Sequence, residues 1–185
     1  MNLGHVLIFG GTGMLQEASG WIAKHAEHTI AFGRNKQRLS RLQREYGKYG
    51  LDVRSLDYTN NDRLKLEINH SFVKHGPINM VVAWIHGTAP NAIPTIMNQV
   101  SKLQEKKQWT FVIIKSSGDL VKIITPVKSI RKNCNIKEVQ LGFIYNGNTS
   151  RWLTHEEISK GTIQAIKGNK NKTIVGTLEP WDQRP

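Results

Sequence analysis

One cysteine, Cys134, stands among 185 residues. A lone thiol excludes an internal disulfide and any multi-cysteine metal site, and it fits a reducing compartment. No apolar run approaches the ~20 residues of a membrane-spanning helix. The N-terminal MNLGHVLIFGG has no basic start, long apolar stretch or small-residue cleavage site of a secretory signal, so a cytoplasmic location is expected. The seven histidines include no His-x-x-x-His pair with a glutamate, and no metal is expected. Neither a Gly-x-Ser-x-Gly elbow nor a Gly-Lys-Ser/Thr phosphate loop occurs, which argues against serine hydrolysis and P-loop chemistry.

Acidic side chains are also scarce. Fourteen Asp and Glu face 26 Lys and Arg, leaving a formal charge of +12. Such an excess can serve nucleic acid, a membrane surface or small phosphorylated ligands. The cations concentrate at Arg34, Lys36, Arg38, Arg41, Arg44 and Lys48, at Lys102, Lys106 and Lys107, and between Lys115 and Lys137. A solvated basic surface accounts for most of them. No nucleic-acid module with interleaved aromatics accompanies them, so a basic nucleic-acid-binding domain is the outside reading.

What is present is a regular alternation. With 38% hydrophobic residues the chain can build one substantial core, and a single domain over residues 1–185 is expected. HVLIF, HTIAF, LDVRSL, INMVVAWI, WTFVII, KEVQLGFI and TIVGTL are seven strand candidates. Several are continuous in Val and Ile, as in a parallel sheet covered on both faces. Helical periodicity lies between them, over Met14–Ala26, Asn35–Tyr49, Asn60–Lys74 and Pro90–Lys107. A further helix begins at Thr154, where THEE forms a capping box with Glu157, and stops near Gly168. The pattern is that of an α/β fold, a doubly wound parallel sheet of about seven strands flanked by helices and Rossmann-like in layout.

Four segments carry the chemistry. Gly10, Gly11 and Gly13 follow a strand and open a helix, where backbone N–H groups and the helix dipole favour a phosphate. After the second strand, AFGRN puts Arg34 where an acidic residue would hold the ribose hydroxyls of NAD. A guanidinium there suits the extra 2′-phosphate of NADP, while an ordinary surface cation is the competing reading. In SLDYTN, Asp57 stands at the edge where an adenine would lie. It competes for that role with a simple N-cap of the next helix, for which Thr59 and Asn60 are also candidates. AWIHGTAPNA and IIKSSGDL put small and polar residues at two further strand ends.

Together these residues resemble the short-chain dehydrogenase/reductase superfamily, in particular its atypical Gly-x-x-Gly members, from about residue 4 to residue 178. The resemblance implies pyrophosphate binding by Gly10, Gly11, Thr12, Gly13, Met14 and Leu15, and adenine contact by Asp57. It also implies a preference for NADP(H) over NAD(H) through Arg34 and Asn35. The family's Asn-Asn-Ala-Gly segment corresponds to Trp84, Ile85, His86 and Gly87, which keeps only the glycine. LGFIYNG resembles the Pro-Gly segment at the nicotinamide end, with Leu141 in place of the proline. An unidentified small-molecule substrate and a homo-oligomer are implied by resemblance only.

The departures bear on catalysis. Gln16 stands where a third glycine usually lets the helix pack close. The catalytic serine has counterparts in Ser116 and Ser117, but no tyrosine occurs between Ser116 and Cys134, so the family's Tyr-x-x-x-Lys has no match. Carbonyl reduction needs a proton donor in hydrogen-bond reach of the substrate oxygen. Tyr145 and His86 are the acids available at the ligand edge, with Lys115 to add charge, and each has packing in a loop as its alternative role. The chain is also short for the family, between the fifth and sixth strands and after the sixth. The two functional expectations are an NADP(H)-dependent oxidoreductase with an atypical donor and a non-catalytic NADP(H)-binding or redox-sensing protein.

Overall fold

The structure, a computed structural model, describes residues 1–116 and 132–185. Seven parallel strands form one sheet: β1 (His5–Phe9), β2 (His28–Gly33), β3 (Leu51–Ser55), β4 (Met80–Ala83), β5 (Trp109–Lys115), β6 (Cys134–Leu141) and, after a small hairpin, β9 (Lys172–Val175). Their order is β3-β2-β1-β4-β5-β6-β9. The hairpin pairs β7 (Phe143–Tyr145) with β8 (Ser150–Trp152) in antiparallel register. The helices are α1 (Gln16–His25), α2 (Lys36–Tyr46), α3 (Asn61–His75), α4 (Ala92–Leu103) and α5 (His155–Lys167).

The unbroken apolar strands follow from burial on both faces. In β1, Val6 and Ile8 enter a core with Ala18 and Ile22 of α1, Leu42 of α2 and Ile158 and Ala165 of α5. Leu7 and Phe9 enter the opposite core with Leu64 and Ile68 of α3 and Ile96 and Met97 of α4. The alternation of successive side chains across a strand divides the two sets. This is the doubly wound, Rossmann-like α/β fold expected. None of the helices among the described residues is long and apolar enough to cross a membrane.

Several boundaries differ from the sequence reading: INMVVAWI is trimmed to Met80–Ala83, TIVGTL ends as a strand at Val175, Met14–Ala26 is trimmed to Gln16–His25, and three further differences have a visible cause. KEVQLGFI reads as one strand, yet the chain leaves the sheet after Leu141. A Cβ on Gly142 would run into the Thr177 carbonyl, and Phe143 pairs with Thr177 through two backbone bonds of 3.0 and 2.8 Å. The Pro90–Lys107 helix is shortened to Ala92–Leu103, with Pro94 in its first turn, where no donor is lost. Asn35–Tyr49 divides into α2 and a short 3₁₀ turn over Gly47–Tyr49.

α5 starts as its capping box requires. Thr154 Oγ1 accepts from the Glu157 N–H at 3.2 Å, and the Glu157 carboxylate accepts from the Thr154 N–H at 2.8 Å. Arg151 donates two bonds of 2.8 Å to the same carboxylate and, with Thr154, holds it down at a pKa of about 2. At the other end of α5, the buried ammonium of Lys137 on β6 donates to the carbonyls of Ala165, Ile166 and Gly168 at 3.1, 3.2 and 2.5 Å. These are carbonyls left without partners by the end of the helix.

Candidate functional site

The sheet order reverses between β1 and β4, and a cleft of about 400 Å³ opens there beyond the carboxyl ends of the strands. Its walls are the glycine turn after β1, Arg34, Asn35 and Arg38 after β2, Asp57 to Thr59 after β3, and Trp84 to His86 with Thr88 and Ala89 after β4. His155 at the start of α5 closes one side.

The three glycines of the turn have different work. Gly10 sits at φ +83°, and a side chain on it would strike the Trp84 carbonyl. Its N–H donates to Tyr58 Oη at 2.7 Å and to the Phe32 carbonyl at 3.2 Å, while Tyr58 donates its own hydroxyl to that carbonyl at 2.5 Å. The Tyr58 ring stands edge-on to Phe9, which stacks on Phe32. Burial pushes the phenol up to about 12, so it stays a neutral donor. Gly11 lies where β1 and α1 approach closely: a Cβ there would come within 2.5 Å of Ser19 Oγ and 2.7 Å of Ile8. Gly13 alone is open, with Arg38 Nη1 at 3.7 Å as the nearest atom to a Cβ.

The turn leaves donors unclaimed. α1 has no side-chain cap, because the residue at that position is Leu15, whose side chain is fully buried in the core. Among the described residues no hydrogen bond takes up the N–H of Gly11, Thr12, Gly13, Met14 or Leu15. Such a row at a helix start, with the positive end of the helix dipole behind it, is arranged for an anion. α2, α3 and α5 by contrast close their own first turns through Asn35, Asn60 and Thr154. The turn is braced from the far end of the chain, where Ser159 Oγ of α5 donates to the Met14 carbonyl at 3.0 Å.

Asp57 is not the cap of α3. Asn60 caps α3, accepting from the Arg63 N–H at 3.0 Å. The Asp57 carboxylate instead accepts from Thr59 N–H and Oγ1–H at 3.0 and 2.9 Å and faces the cleft. Those bonds, with a smaller contribution from Arg34, hold it below the usual carboxylate range. Arg34 and Arg38 are both exposed, and among the described residues neither enters an ion pair. Asn35 lines the cleft, but its side-chain oxygen is occupied by the Arg38 N–H at 2.9 Å.

The catalytic candidates do not assemble. His86 lines the cleft beside Trp84, at 6.0 Å between ring centroids. Tyr145 lies in the β7–β8 hairpin, away from the lining, and donates its hydroxyl to the Gly147 carbonyl at 2.8 Å. Lys115 is paired with Glu138 at 2.5 Å. Ser116 offers its carbonyl to Gln140 Nε2 at 3.0 Å and is not in the lining, while Ser117 lies outside the described residues. Gly87 follows His86 without lining the cleft, and Gln16 donates to Glu45 at 3.1 Å on the surface. Arg38, Tyr58 and His155 are site residues that sequence reasoning missed. Their neighbours Arg34, Asp57 and Glu157 drew attention, and only the packing brings them to the cleft.

Two solved structures share this architecture. One is a metagenomic short-chain oxidoreductase in complex with NADP, 12% identical, with a TM-score of 0.72 over 96% of this chain and 99% of that one. The other is a short-chain type dehydrogenase/reductase from Mycobacterium marinum, 13% identical, with a TM-score of 0.73 over 97% of this chain and 96% of that one. This is the short-chain dehydrogenase/reductase fold. No protein-family model and no curated protein sequence matches the chain. At such identities the short-chain dehydrogenase/reductase likeness lies in the course of the backbone, and the side chains of the cleft must be argued on their own.

Proposed function

We propose that the protein is a short-chain dehydrogenase/reductase that binds NADP(H) in the β1–β4 cleft, in preference to NAD(H). The observation that carries this reading is the row of unclaimed N–H groups from Gly11 to Leu15, of which Thr12, Gly13 and Met14 line the same cleft as Arg34 and Arg38, two guanidiniums in no ion pair among the described residues. Pyrophosphate oxygens would satisfy the N–H row, which the uncapped α1 leaves without an internal partner. Arg34, standing where a carboxylate would repel a phosphate, would pair with the 2′-phosphate. Asp57, held ionised by Thr59, would accept from the adenine amino group. That one neighbour of the same fold is described in complex with NADP supports the assignment.

In this reading residues 1–185 form one cytoplasmic domain whose chemistry is NADP(H)-dependent oxidoreduction. Bound NADPH supplies a hydride. The protein's part is to present a proton to the substrate oxygen, and among the acids named from the sequence His86 is the one at the cleft wall. A second reading, a non-catalytic NADP(H) sensor, is favoured by one observation: Tyr145 and Lys115 are both engaged elsewhere.

Titration with NADPH and NADH, followed by tryptophan quenching, tests the binding. Arg34→Ala should weaken NADPH by about ten- to a hundredfold, the worth of a charge-assisted hydrogen bond, and NADH by less than about twofold. Equal losses would remove the 2′-phosphate from Arg34. A panel of carbonyl and imine substrates then separates the two readings. Turnover lost in His86→Gln supports the oxidoreductase, and tight binding with no turnover supports the sensor.

A further inference from the structure

We propose that a second surface, at the C-terminal end of α2, binds single-stranded nucleic acid. α2 turns Leu39 and Leu42 into the core, and its outer side carries Arg41 and Arg44, both exposed. The helix runs on into the 3₁₀ turn over Gly47–Tyr49, and Gly50, at φ +81°, ends it. That turn brings Tyr49 to the surface, 39% exposed, between two ammonium groups. Lys24 of α1 lies 5.3 Å from the ring centroid and Lys48 lies 5.1 Å from it. Lys24 also lies 5.9 Å from the ring of Tyr46.

The four cations have no carboxylate partner among the described residues. Among the described residues none of Lys24, Arg41, Arg44 or Lys48 enters an ion pair; the ion pairs lie on other elements. The carboxylate nearest in sequence, Glu45, shares a shallow concavity with Arg41 and Arg44 and accepts from Gln16 at 3.1 Å. Cations for a phosphate backbone around a partly exposed aromatic ring on which a base can stack is the combination that single strands need. The sequence puts Tyr49 beside Lys48, while Lys24 is brought to the ring only by the packing of α1 on α2. A membrane surface fits less well. A lipid-binding helix keeps an apolar face for the acyl boundary, and that of α2 is buried against the sheet. The surface does not depend on the cleft, since none of Lys24, Arg41, Arg44, Lys48 and Tyr49 lines it.

The test is fluorescence anisotropy of a labelled oligo(dT) with the full chain, across a KCl series. Four phosphate contacts at about 0.7 per contact give a slope of log K on log salt near −2.8, so affinity falls about fiftyfold between ~50 and ~200 mM. The double variant Arg41→Ala/Arg44→Ala should flatten the slope to about −1.4. Tyr49→Ala should weaken binding about tenfold and leave the slope unchanged, since stacking releases no counterion. All three side chains are exposed, and melting curves check that the variants remain folded. No binding at ~50 mM salt overturns the proposal. So does a silent Tyr49→Ala with heparin or phosphatidylserine vesicles bound as tightly as the oligonucleotide, which would mark a general polyanion or membrane surface.

Discussion

Gly13→Val would place a branched side chain at the open mouth of the turn. There the nearest atom to a new Cβ is Arg38 Nη1 at 3.7 Å, the far end of a flexible and exposed side chain. Gly13 also has none of the positive φ that makes Gly10 irreplaceable. The fold should tolerate the change, within about 0.5 kcal/mol and about 2 °C of melting temperature. Binding should not. The new methyls would stand over the N–H row, and loss of two hydrogen bonds to a charged group, at about 1.5–3 kcal/mol each, is worth a hundredfold or more in affinity for NADPH. Gly11→Ala is the contrasting variant. Its Cβ meets Ser19 and Ile8 inside the β1–α1 contact, so overpacking of about 1–3 kcal/mol should lower the melting point by about 2–12 °C. Thermal melts and tryptophan quenching by NADPH, with Trp84 in the cleft wall, read both quantities on the same samples. A Gly13→Val protein that binds NADPH like the parent would show that no pyrophosphate crosses the turn. A Gly11→Ala protein that melts like the parent would refute the close approach of strand and helix.

Two further expectations concern stability. His5 is buried, with its ring nitrogens against the Gly76 carbonyl at 3.0 Å and Ser71 Oγ at 2.8 Å; burial, chiefly, lowers its pKa from 6.5 to about 4. The unfolded chain therefore takes up the proton first, so stability rises with pH between about 4 and 6.5, by about 3 kcal/mol in all. Urea unfolding between pH 5 and 6.5, above the range in which Glu157 titrates, should show this rise in the parent and a smaller one in His5→Gln, where burial still holds the neighbouring His75 below its ordinary value; equal slopes in the two proteins would refute it. Lys137→Met keeps the unbranched shape of the side chain, one atom shorter, but leaves the carbonyls of Ala165, Ile166 and Gly168 without their donor. The variant should lose about 1–2 kcal/mol, since orphaned acceptors outweigh the relief of a buried charge, and an unchanged melting point would show the reverse.

Much of the architecture is legible from periodicity because its physical cause is local. A strand covered on both faces must be continuously apolar, and HVLIF and WTFVII have no other use for four apolar residues in a row, VLIF and FVII. The capping box at Thr154 is likewise written within four residues. What escapes is decided by meetings across the chain. The break at Gly142 depends on the Thr177 carbonyl, thirty-five positions away. Tyr58 can pin Gly10 only because the chain after β3 reaches across β2 to the end of β1. Arg38 reaches the cleft because Asn35 caps α2 and sets the direction of its first turn. The cofactor side is thus readable as a motif, whereas its supports and the proton donors are matters of tertiary geometry.

The bond from Ser159 to the Met14 carbonyl joins residues 145 positions apart. At a synthesis rate of about 5–20 residues per second, the glycine turn leaves the ribosome roughly 7–30 seconds before the hydroxyl that braces it. Through that interval β1 and α1 can form while the loop between them lacks its outer strut. The segment that emerges among the first is therefore completed among the last, and a chain halted before α5 would carry every residue of the motif without the geometry that gives it meaning.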